Sequence, residues 1–382
     1  MIKLAFLARD FDYGGAQRQL VTLVKALDKK DFDVTVLCFY SGGPLENDLK
    51  NSGVKLISLD KGGRWDLFNF YQRLIHHLKL IQPDILHGYL SDPNLLMIFL
   101  KPFFPSIRMV WGVRVSNDDL SQYDWLIRLV IQLEWFMSRF ADLIILNSYA
   151  GRDYHRACGF PDHKMVVIPN GIDTERFKPD SEARAKVRSQ WGISEQTVLI
   201  GLVGRLHPMK DHPTFLKAAA LLSKQQQDVQ FVCVGTGLED YAQELCRLAQ
   251  EFGIAEKVIW AGARADMPAV YNALDIASSS SSYGEGFANV IGEAMACKVP
   301  CVVTDVGDSA WIVENTGIIV SPQNPEALAN GWSLLIKQQQ YKDAALKSKT
   351  RSRIVSEFSC NKLVQNVADV LNQTLLRRDL NK

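Results

Sequence analysis

Short apolar runs alternate with amphipathic helical patterns through the first half of the chain. Continuous apolar runs between helices are typical of strands in a parallel sheet that helices cover on both faces. The pattern therefore predicts a doubly wound α/β domain. The predicted strands are Leu4–Ala8, Val34–Phe39, Lys55–Leu59, Ile85–His87, Arg108–Val113, Leu143–Leu146 and Val166–Ile168.

The alternation stops after the last of these runs and then begins again. Pro169–Gly171 is a turn sequence, and residues 173–195 are mostly polar and charged, with Phe177 and Trp191 as their aromatic residues. We interpret this segment as the crossover to a second domain of the same type. In such sheets, ligands bind outside the carboxyl ends of the strands. The strands predicted there are Val198–Val203, Gln230–Val234, Lys257–Trp260, Asp275–Ala277 and Cys301–Val303.

Composition and charge narrow the classes of function. The chain has 382 residues, of which 47% are apolar and 22% charged, as in ordinary globular proteins. This length is enough for two domains with separate cores. A net charge of +1 disfavours nucleic acid as a partner. Seven cysteines are scattered without a CxxC pair, as in reduced cytoplasmic proteins. No uncharged apolar run approaches the ~18–20 residues that span a bilayer. We therefore expect a cytoplasmic protein, with any membrane contact peripheral and at the inner face.

The segment Glu285–Glu293 (EGFANVIGE) carries the strongest chemical signal. It lies between an apolar strand and a helix that begins near Val290, so two carboxylates flank a strand-to-helix turn. The amides from Phe287 to Val290 form the amino end of that helix, where a phosphate is favoured. A nucleotide sugar offers both a phosphate and hydroxyls. The alternative is two solvated charges, but a tight glycine turn around Glu285 is costly to keep for solubility alone.

Two further segments have the composition of phosphate sites. Arg205 and Lys210 lie five residues apart, just after the first strand of the second domain. Such cations can neutralise a diphosphate leaving group without a metal, although both could be solvated surface charges. Gly14 and Gly15 follow the first strand of the chain and expose backbone amides, yet most turns of this kind use glycine for steric reasons only. The serine run 278–282 predicts a loop near a polar ligand, or a plain surface loop.

Other motifs are weaker. Gly235-Thr-Gly237 has Asp240 at the third glycine position of a dinucleotide fingerprint, which disfavours a dehydrogenase. The segments 10–12 and 31–33 match the Asp-x-Asp motif of metal-dependent sugar transferases, but two acids in three residues are common by chance. We expect no metal and no cofactor, while Asp10 and Asp12 are the acids better placed to touch a ligand.

Four segments together resemble the retaining glycosyltransferases of family four (glycosyl transferases group 1), which have the GT-B fold. They are Glu285–Glu293, Gly204–Asp211, Gly14-Gly15 and Ile168–Asp173. The resemblance spans nearly the whole chain and implies two doubly wound, Rossmann-like α/β domains that face each other across a cleft. It implies an acceptor-binding domain at 1–175, a nucleotide-sugar-binding domain at 176–360, and a C-terminal helix at 361–382 that crosses back to the first domain.

The resemblance also implies roles for individual residues. Glu293 would bind the nucleotide ribose, and Glu285 would face the donor sugar. Arg205 and Lys210 would bind the diphosphate, to which the glycine loop would lend an amide from Gly15. Further contacts to phosphate and sugar hydroxyls would come from Phe287, Ala288, Asn289 and Val290.

The chain departs from the family pattern at two positions. Arg114 stands after the fifth strand, where many members carry a histidine that contacts the donor sugar, so we add it to the catalytic candidates. Its planar fork suits an anionic acceptor, such as a lipid phosphate or a uronic acid. The alternative is that Arg114 pairs with Asp118 or Asp119. Lys298 stands where glycine is frequent, at a predicted helix C-terminus, and we expect a small local consequence.

These features predict a glycosyltransferase that moves a hexosyl or acetylhexosaminyl group with retention, from a UDP-sugar to a glycan or lipid-linked acceptor. A role in bacterial surface polysaccharide synthesis follows from the resemblance. One alternative is a GT-B sugar-nucleotide epimerase, which would bind the same donor and need no acceptor. The other is a non-catalytic sugar-nucleotide-binding subunit, against which the presence of Glu285, Arg205 and Lys210 argues.

Basic and aromatic residues occur together in the first domain and suit a membrane interface. The competing interpretation places these aromatics in the core. The residues are those of Lys101–Arg108 and the helical Trp125, Leu126, Leu129, Trp135 and Phe136.

Overall fold

The structure is a computed structural model of the chain. It describes residues 1–63, 65–114, 116 and 125–379, and for residues 126, 127 and 377–379 it describes the backbone only. The chain divides into two compact units. Unit 1 comprises Met1–Gly171 and Cys360–Lys382, and unit 2 comprises Ile172–Ser359.

Unit 1 contains a parallel sheet of seven strands. The strands are β1 (Ile2–Ala8), β2 (Phe32–Cys38), β3 (Lys55–Ser58), β4 (Ile85–Tyr89), β5 (Arg108–Val113), β6 (Leu143–Leu146) and β7 (Met165–Val167). Their order across the sheet is β3-β2-β1-β4-β5-β6-β7. The chain starts in the interior of the sheet and adds strands on both sides, which is the doubly wound arrangement that the sequence predicts.

Helices cover both faces of this sheet. They are α1 (Gly15–Ala26), α2 (Glu46–Lys50), α3 (Phe68–Ile81), α4 (Ser91–Leu100), α5 (Trp125–Met137) and α6 (Tyr149–Ala157). Side chains alternate between two cores because successive residues of a strand point to opposite faces. In β1, Leu4 and Phe6 pack with α1, whereas Ala5 and Leu7 join the core that includes Leu74 of α3. Burying each large apolar side chain contributes about 1.5–3 kcal/mol.

Unit 2 contains a parallel sheet of six strands. The strands are β8 (Val198–Val203), β9 (Val229–Val234), β10 (Val258–Gly262), β11 (Ile276–Ser279), β12 (Cys301–Thr304) and β13 (Ile318–Val320). Their order is β10-β9-β8-β11-β12-β13. The prediction contains the first five and omits β13. This edge strand has three residues, and the middle one, Ile319, is 40% exposed, so no continuous buried run marks it.

The helices of unit 2 include the segment that the sequence suggested as a crossover. They are α7 (Ser181–Gln190), α8 (His212–Ser223), α9 (Glu239–Glu251), α10 (Met267–Ala273), α11 (Asn289–Ala296), α12 (Ser309–Val313), α13 (Pro325–Lys337) and α14 (Ala344–Glu357). Helix α7 packs against α10, and Phe177, Val187 and Ile193 are buried in the core of unit 2. Residues 173–195 are therefore a structural part of unit 2, and their polar residues cover its surface.

The last helix, α15 (Cys360–Asp379), belongs to unit 1 and packs against α1. Its buried Leu363, Val367 and Leu371 join the core that contains Leu20. Gly171 allows this approach, since a Cβ at that position would lie 2.9 Å from Leu363 Cδ2.

Candidate functional site

Three neighbouring strands of unit 2 end at the same edge of the sheet. Strand β8 lies beside β11, which lies beside β12, and all three are parallel. Arg205 follows β8, Glu285 follows β11 and Gly307 follows β12. The fold therefore gathers two of the predicted site residues, which are 80 positions apart by number, at the carboxyl edge of one sheet.

Glu285 is buried and is held by two side chains. Lys210 Nζ donates a hydrogen bond to Glu285 Oε1, and Ser281 Oγ donates to the same oxygen at 2.6 Å. Burial alone would raise the pKa of the Glu285 carboxyl. The charge and hydrogen bond of Lys210, the Ser281 hydroxyl and the charge of Arg205 outweigh burial and lower that pKa below its ordinary value. Glu285 is therefore a carboxylate at neutral pH.

The backbone around Lys210 is anchored to the serine loop. Lys210 ends the 3₁₀ turn Pro208–Lys210, and its carbonyl accepts a hydrogen bond from Ser280 Oγ at 2.7 Å. The amide of Ser282 donates to the carbonyl of Met209 at 3.0 Å. These contacts give the end of the serine run a structural role: the Ser280 hydroxyl and the Ser282 amide join the loop after β11 to the loop after β8. The interpretation of a loop near a polar site describes them better than a plain surface loop does.

Gly307 allows the loop that carries Glu285 to approach the backbone after β12 closely. Its φ is +60°, and a Cβ there would lie 2.2 Å from the carbonyl oxygen of Glu285. Since any side chain would collide with that carbonyl, the close approach requires glycine. The amide of Asp308 then donates to the carbonyl of Gly286 at 3.1 Å and secures the loop.

Helix α11 starts directly beyond this loop. Its N-cap is Ala288, whose side chain offers no acceptor for the amides of the first turn. No side chain at the N-cap therefore offsets the partial positive charge of this helix end, which favours a bound anion. Phe287 and Ala288 are buried, and the Phe287 ring packs 5.3 Å from that of Phe358. The side chain of Phe287 thus orients the loop. Because its ring is buried, Phe287 can contact a ligand only through its backbone.

Glu293 lies one turn further along α11 and is also buried. Tyr271 Oη donates to Glu293 Oε2 at 2.7 Å, which fixes the orientation of the carboxylate. Asn289 and Val290 are half-buried in the first turn of the helix. The predicted set 287–290 and Glu293 therefore lies on one short helix and the loop before it.

Arg205 differs from Lys210 in its surroundings. Its side chain is exposed, and no hydrogen bond or ion pair holds its guanidinium among the residues that the structure describes. Its charge still acts on the site, because together with burial and Lys210 it lowers the pKa of His207, and it also helps to lower that of Glu285. Arg205 is thus an exposed cation whose charge acts on the buried Glu285 carboxylate.

Sequence reasoning missed several residues of this site. Ser281, Tyr271 and Gly307 hold Glu285, Glu293 and the loop in place. Ser281 lies within the serine run 278–282, which predicts a loop near a polar ligand. Tyr271 and Gly307 carry no local signal, since each acts on a residue more than 20 positions away.

Gly14 and Gly15 lie in unit 1, at the amino end of α1. Gly14 is the N-cap, has extended backbone (φ −154°) and makes no side-chain cap, and Gly15 is the first helical residue. A Cβ on Gly14 would meet Gln17 Oε1 at 2.2 Å, so the turn has a steric reason for glycine. The structure therefore fits both the steric and the phosphate-binding interpretation of this loop.

Arg114 follows β5 in unit 1. Its guanidinium carbon lies 4.5 Å from the centre of the Tyr89 ring, and Nη1 donates to Asn170 Oδ1 at 3.2 Å. Nε and Nη2 are buried and have no hydrogen-bond partner among the described residues. Burial and the charge of Arg114 lower the pKa of His87 to about 3, so that ring is neutral. Asp118 and Asp119, the alternative partners, lie outside the described residues.

The two acidic motifs of unit 1 differ in their surroundings. Asp10 Oδ1 accepts hydrogen bonds from the Asp12 amide and from Gln17 Nε2, each at 3.3 Å. Asp31 and Asp33 lie at the amino end of β2, the edge opposite to a ligand site. Within the described ranges, no group of three or more histidines, cysteines and acids could hold a metal ion.

An aromatic surface lies on α4, α5 and the residues that follow each. Trp125, Leu129 and Phe136 are 76%, 53% and 52% exposed, so the core interpretation is wrong for them. Trp135 is partly buried against the core of unit 1, and the side chain of Leu126 lies outside the described residues. In the part of the chain that the structure describes, no helix combines the length and apolarity needed to cross a membrane. We call Phe99, Phe103, Trp125, Leu129, Leu133, Phe136 and Phe140 the aromatic surface.

Two doubly wound parallel α/β units, with a loop-and-helix site at the carboxyl edge of the second sheet, define the GT-B class of proteins. Two family models match this chain. "Glycosyltransferase Family 4" matches residues 13–176, and "Glycosyl transferases group 1" matches residues 183–353. The chain belongs to the glycosyltransferases that these two models describe together, one model for each part of the chain.

Relatives match over part of their length. The "GDP-mannose-dependent alpha-(1-6)-phosphatidylinositol monomannoside mannosyltransferase" of Mycobacterium tuberculosis is 27% identical over 236 residues, which are 59% of this chain and 60% of that protein. The "D-inositol 3-phosphate glycosyltransferase" of Salinispora tropica is 30% identical over 253 residues, 62% of this chain and 52% of that protein. The matches thus span little more than half the length of these relatives.

Solved structures match over almost the whole chain. The Anabaena protein Alr3699/HepE in complex with UDP has a TM-score of 0.86 and 23% identity, and the match covers 97% of this chain and 100% of that one. Its complex with UDP-glucose gives a TM-score of 0.83 at 23% identity, covering 98% of this chain and 100% of that one. At this identity the likeness shows the fold alone, and the fold is GT-B.

Proposed function

We propose that this protein is a retaining glycosyltransferase. It would move a hexosyl or acetylhexosaminyl group from a UDP-sugar to a glycan or lipid-linked acceptor, in the synthesis of a bacterial surface polysaccharide. The observation that carries the proposal is the buried Glu285 carboxylate, which Lys210 and Ser281 hold ionised at the carboxyl edge of the unit 2 sheet. The charge of Arg205 acts on this carboxylate, and α11 begins four residues after it in the chain.

The two ends of a nucleotide sugar fit different parts of this edge. The diphosphate would contact Arg205, Lys210 and the amides at the start of α11, which together answer its negative charge. The ribose would place its hydroxyls on Glu293, whose carboxylate Tyr271 already orients. The sugar would donate hydroxyl hydrogens to Glu285, because an ionised carboxylate has about four acceptor positions.

The reaction would need no protein nucleophile. The bond from the anomeric carbon to the phosphate oxygen breaks, and the acceptor oxygen forms a bond to that carbon on the same face. The acceptor's hydroxyl proton passes to the departing phosphate oxygen, so charge and atoms balance. Negative charge grows on the diphosphate as it leaves, and donors already in place beside it stabilise the transition state.

The same cations make a metal unnecessary in this proposal. Metal-dependent transferases neutralise the leaving diphosphate with a divalent ion held by acids. Here Lys210 is anchored through its backbone carbonyl to Ser280, and Arg205 lies in the same loop after β8. Two positive charges, of which that of Lys210 is held in place, would take over the role of the ion.

The choice of UDP over other nucleotides rests on the solved structures that match the chain. The Anabaena structures, which match 97% and 98% of the chain, contain UDP or UDP-glucose. The mycobacterial relative, which matches 59% of the chain, is named for GDP-mannose. We propose the UDP-sugar because the likeness to the UDP complexes extends over both units.

Thermal-shift screening of UDP-, GDP- and ADP-sugars tests which nucleotide the donor carries. Glu293→Ala, which lacks the proposed ribose contact, is compared with the wild type. A ligand at 100 times its dissociation constant adds about 2.7 kcal/mol to the free energy of unfolding. We expect stabilisation by a UDP-sugar that Glu293→Ala loses. Stabilisation by GDP-sugars alone would contradict the proposed base.

Product analysis with the identified donor tests the reaction. A glycosyltransferase releases nucleotide only when an acceptor is present and yields a glycoside of unchanged anomeric configuration. An epimerised nucleotide sugar without acceptor would identify the epimerase alternative. Tight donor binding without turnover on any glycan or lipid-linked acceptor would support the non-catalytic subunit.

A further inference from the structure

Unit 2 contains a cavity of about 390 Å³ at the edge of its sheet opposite to Glu285. Asp275, which directly precedes β11, and Lys298, shortly before β12, both line it. Strand β11 separates the two edges and has four residues, a span of roughly 13 Å. The cavity is therefore a separate place from the proposed donor site.

One group of charges in the cavity wall is internally balanced. Arg184 donates to the carbonyls of residues 272–274 at 3.2–3.3 Å, to Asp275 at 2.9 Å and to Glu195 at 3.4 Å. The buried Arg188, which does not itself line the cavity, donates to the other oxygen of Asp275 at 3.0 Å. The charges of two guanidinium groups thus balance those of two carboxylates, and these ion pairs link the segments that form the wall.

Three lysines in the same wall are not balanced in this way. Within the described part of the chain, the ammonium groups of Lys298 and Lys347 make no hydrogen bond or ion pair. The ammonium group of Lys342 lies 5.2 Å from the centre of the Tyr341 ring. The remaining carboxylate of the wall, Asp180, caps α7 by accepting from the Ala183 amide at 2.9 Å. The cavity therefore has an excess of positive charge.

The lysine on α14 shows the effect of this excess. Lys347 is half-buried, and burial, followed by the charges of Arg184 and Lys298, lowers the pKa of its ammonium group, while Asp275 raises it. An ammonium group that neighbouring cations destabilise is one that a bound anion would stabilise.

Lys298 occupies its place against the preference of its backbone. Its φ is +64°, and its amide donates to Met295 O at 2.9 Å while that of Val299 donates to Ala294 O at 3.0 Å. This is the Schellman end of α11, where glycine fits without strain and an L-residue costs roughly 1 kcal/mol or more. The helix C-terminus favours a cation, but any nearby position would serve that purpose. A lysine at this position instead directs its charge into the cavity wall.

We propose that this cavity binds a small phosphorylated molecule, with a phosphate group held between Lys298 and Lys347. A cavity of this volume is in the range of small-molecule sites. Lys342 would contact a second negative group, and the Tyr341 ring would form an apolar wall beside it. The proposal does not depend on the proposed glycosyl transfer, because it uses none of the residues assigned to the donor.

Inorganic phosphate at constant ionic strength is the probe, and ³¹P NMR line widths report its binding. The test variant is the double substitution Lys298→Gly and Lys347→Gln, in which glycine also relieves the backbone strain. Lys349→Gln is the control, because Lys349 is exposed on the same helix and does not line the cavity. We expect at least tenfold weaker phosphate binding by the double variant and unchanged binding by the control.

Two results would overturn the proposal. One is equal phosphate affinity of the wild type and the double variant, including the case in which neither binds. The other is loss of phosphate binding in Arg205→Ala with none in the double variant, which would place the only anion site at the donor edge. Acetylation of Lys347, followed by mass spectrometry of the wild type, gives an independent check: phosphate should slow it severalfold and leave Lys349 unaffected.

Discussion

Lys210 and Glu285 form a buried ion pair although 75 positions separate them in the chain. The pair joins the loop after β8 to the loop after β11, and Ser281 completes it from the same side. Removing one partner of a buried pair is costly because the other charge stays buried without compensation, typically about 3–5 kcal/mol. Lys210 therefore has a structural role besides the one proposed for it in binding the diphosphate.

This difference separates two alanine variants. Arg205→Ala removes an exposed cation, so we expect turnover to fall about 10²-fold, from lost stabilisation of the leaving group, with an unchanged melting temperature. Lys210→Ala should lower turnover by as much or more and also lower the melting temperature. Steady-state kinetics and thermal unfolding measure both effects. Lys224→Ala, an exposed cation of the same unit, is the control. Wild-type turnover in both site variants would show that the diphosphate assignment is wrong.

Glu285 should also make stability depend on pH in a defined direction. Its pKa in the folded protein is lowered from the ordinary value of 4.5, so its contribution to stability is present above about pH 4.5. The contribution is lost as the pH falls through the lowered folded pKa. We therefore expect Glu285→Gln to be less stable than the wild type at pH 7, and the difference to shrink on acidification.

Urea unfolding between pH 3 and 7 measures this difference. Glu256→Gln, at an exposed position of unit 2, is the matched control and should show little effect. A destabilisation by Glu285→Gln that stayed constant over the whole pH range would mean that packing, and not charge, explains it.

The sequence predicted those parts of the protein that local pattern determines. All seven strands of unit 1 and five of unit 2 follow from continuous apolar runs. Strand β13 was missed because pairing with β12, and not its own three residues, defines it. The same limit applies to the site. Glu285 and Arg205 stand in recognisable segments, whereas the contact of Tyr271 with Glu293 depends on how α10 packs on α11.

Activity should persist in excess chelator. Arg205, Lys210 and the start of α11 supply positive charge where a metal-dependent enzyme would hold a divalent ion. Turnover before and after incubation with EDTA measures this, with a known metal-dependent transferase treated in parallel. Complete loss of activity that magnesium or manganese restores would make Asp10 and Asp12 the first candidates for its ligands.

The aromatic surface should bind anionic membranes. Its exposed rings offer apolar area, and Arg139, 4.0 Å from the centre of the Phe136 ring, adds a cation beside them. We expect the protein to float with anionic liposomes at low salt. The double substitution Trp125→Glu and Phe136→Glu should reduce the floated fraction severalfold, whereas Leu238→Glu, at an exposed apolar residue of unit 2, should not. Absence of wild-type protein from the liposome fraction would reject a peripheral membrane contact.

Arg114 gives the sharpest prediction about the acceptor. Asn170 takes one of its donors and the Tyr89 ring covers its face, while Nε and Nη2 have no partner among the described residues. His87 cannot share the positive charge, because its pKa of about 3 keeps it neutral. The buried Nε–Nη2 edge of a guanidinium suits a bidentate anion, so we propose that it binds a phosphate or carboxylate of the acceptor.

Arg114→Lys keeps the charge and loses the fork. Since charged hydrogen bonds contribute about 1.5–3 kcal/mol, we expect the KM for the acceptor to rise about tenfold or more. The affinity for the donor, measured by thermal shift, should stay nearly unchanged, as it should for Arg139→Lys, an exposed arginine of the same unit. An uncharged acceptor analogue should bind the wild type and Arg114→Lys equally well, because it has no anion for the fork to hold. Unaltered acceptor kinetics in Arg114→Lys, or a loss of donor affinity in its place, would show that Arg114 does not recognise the acceptor.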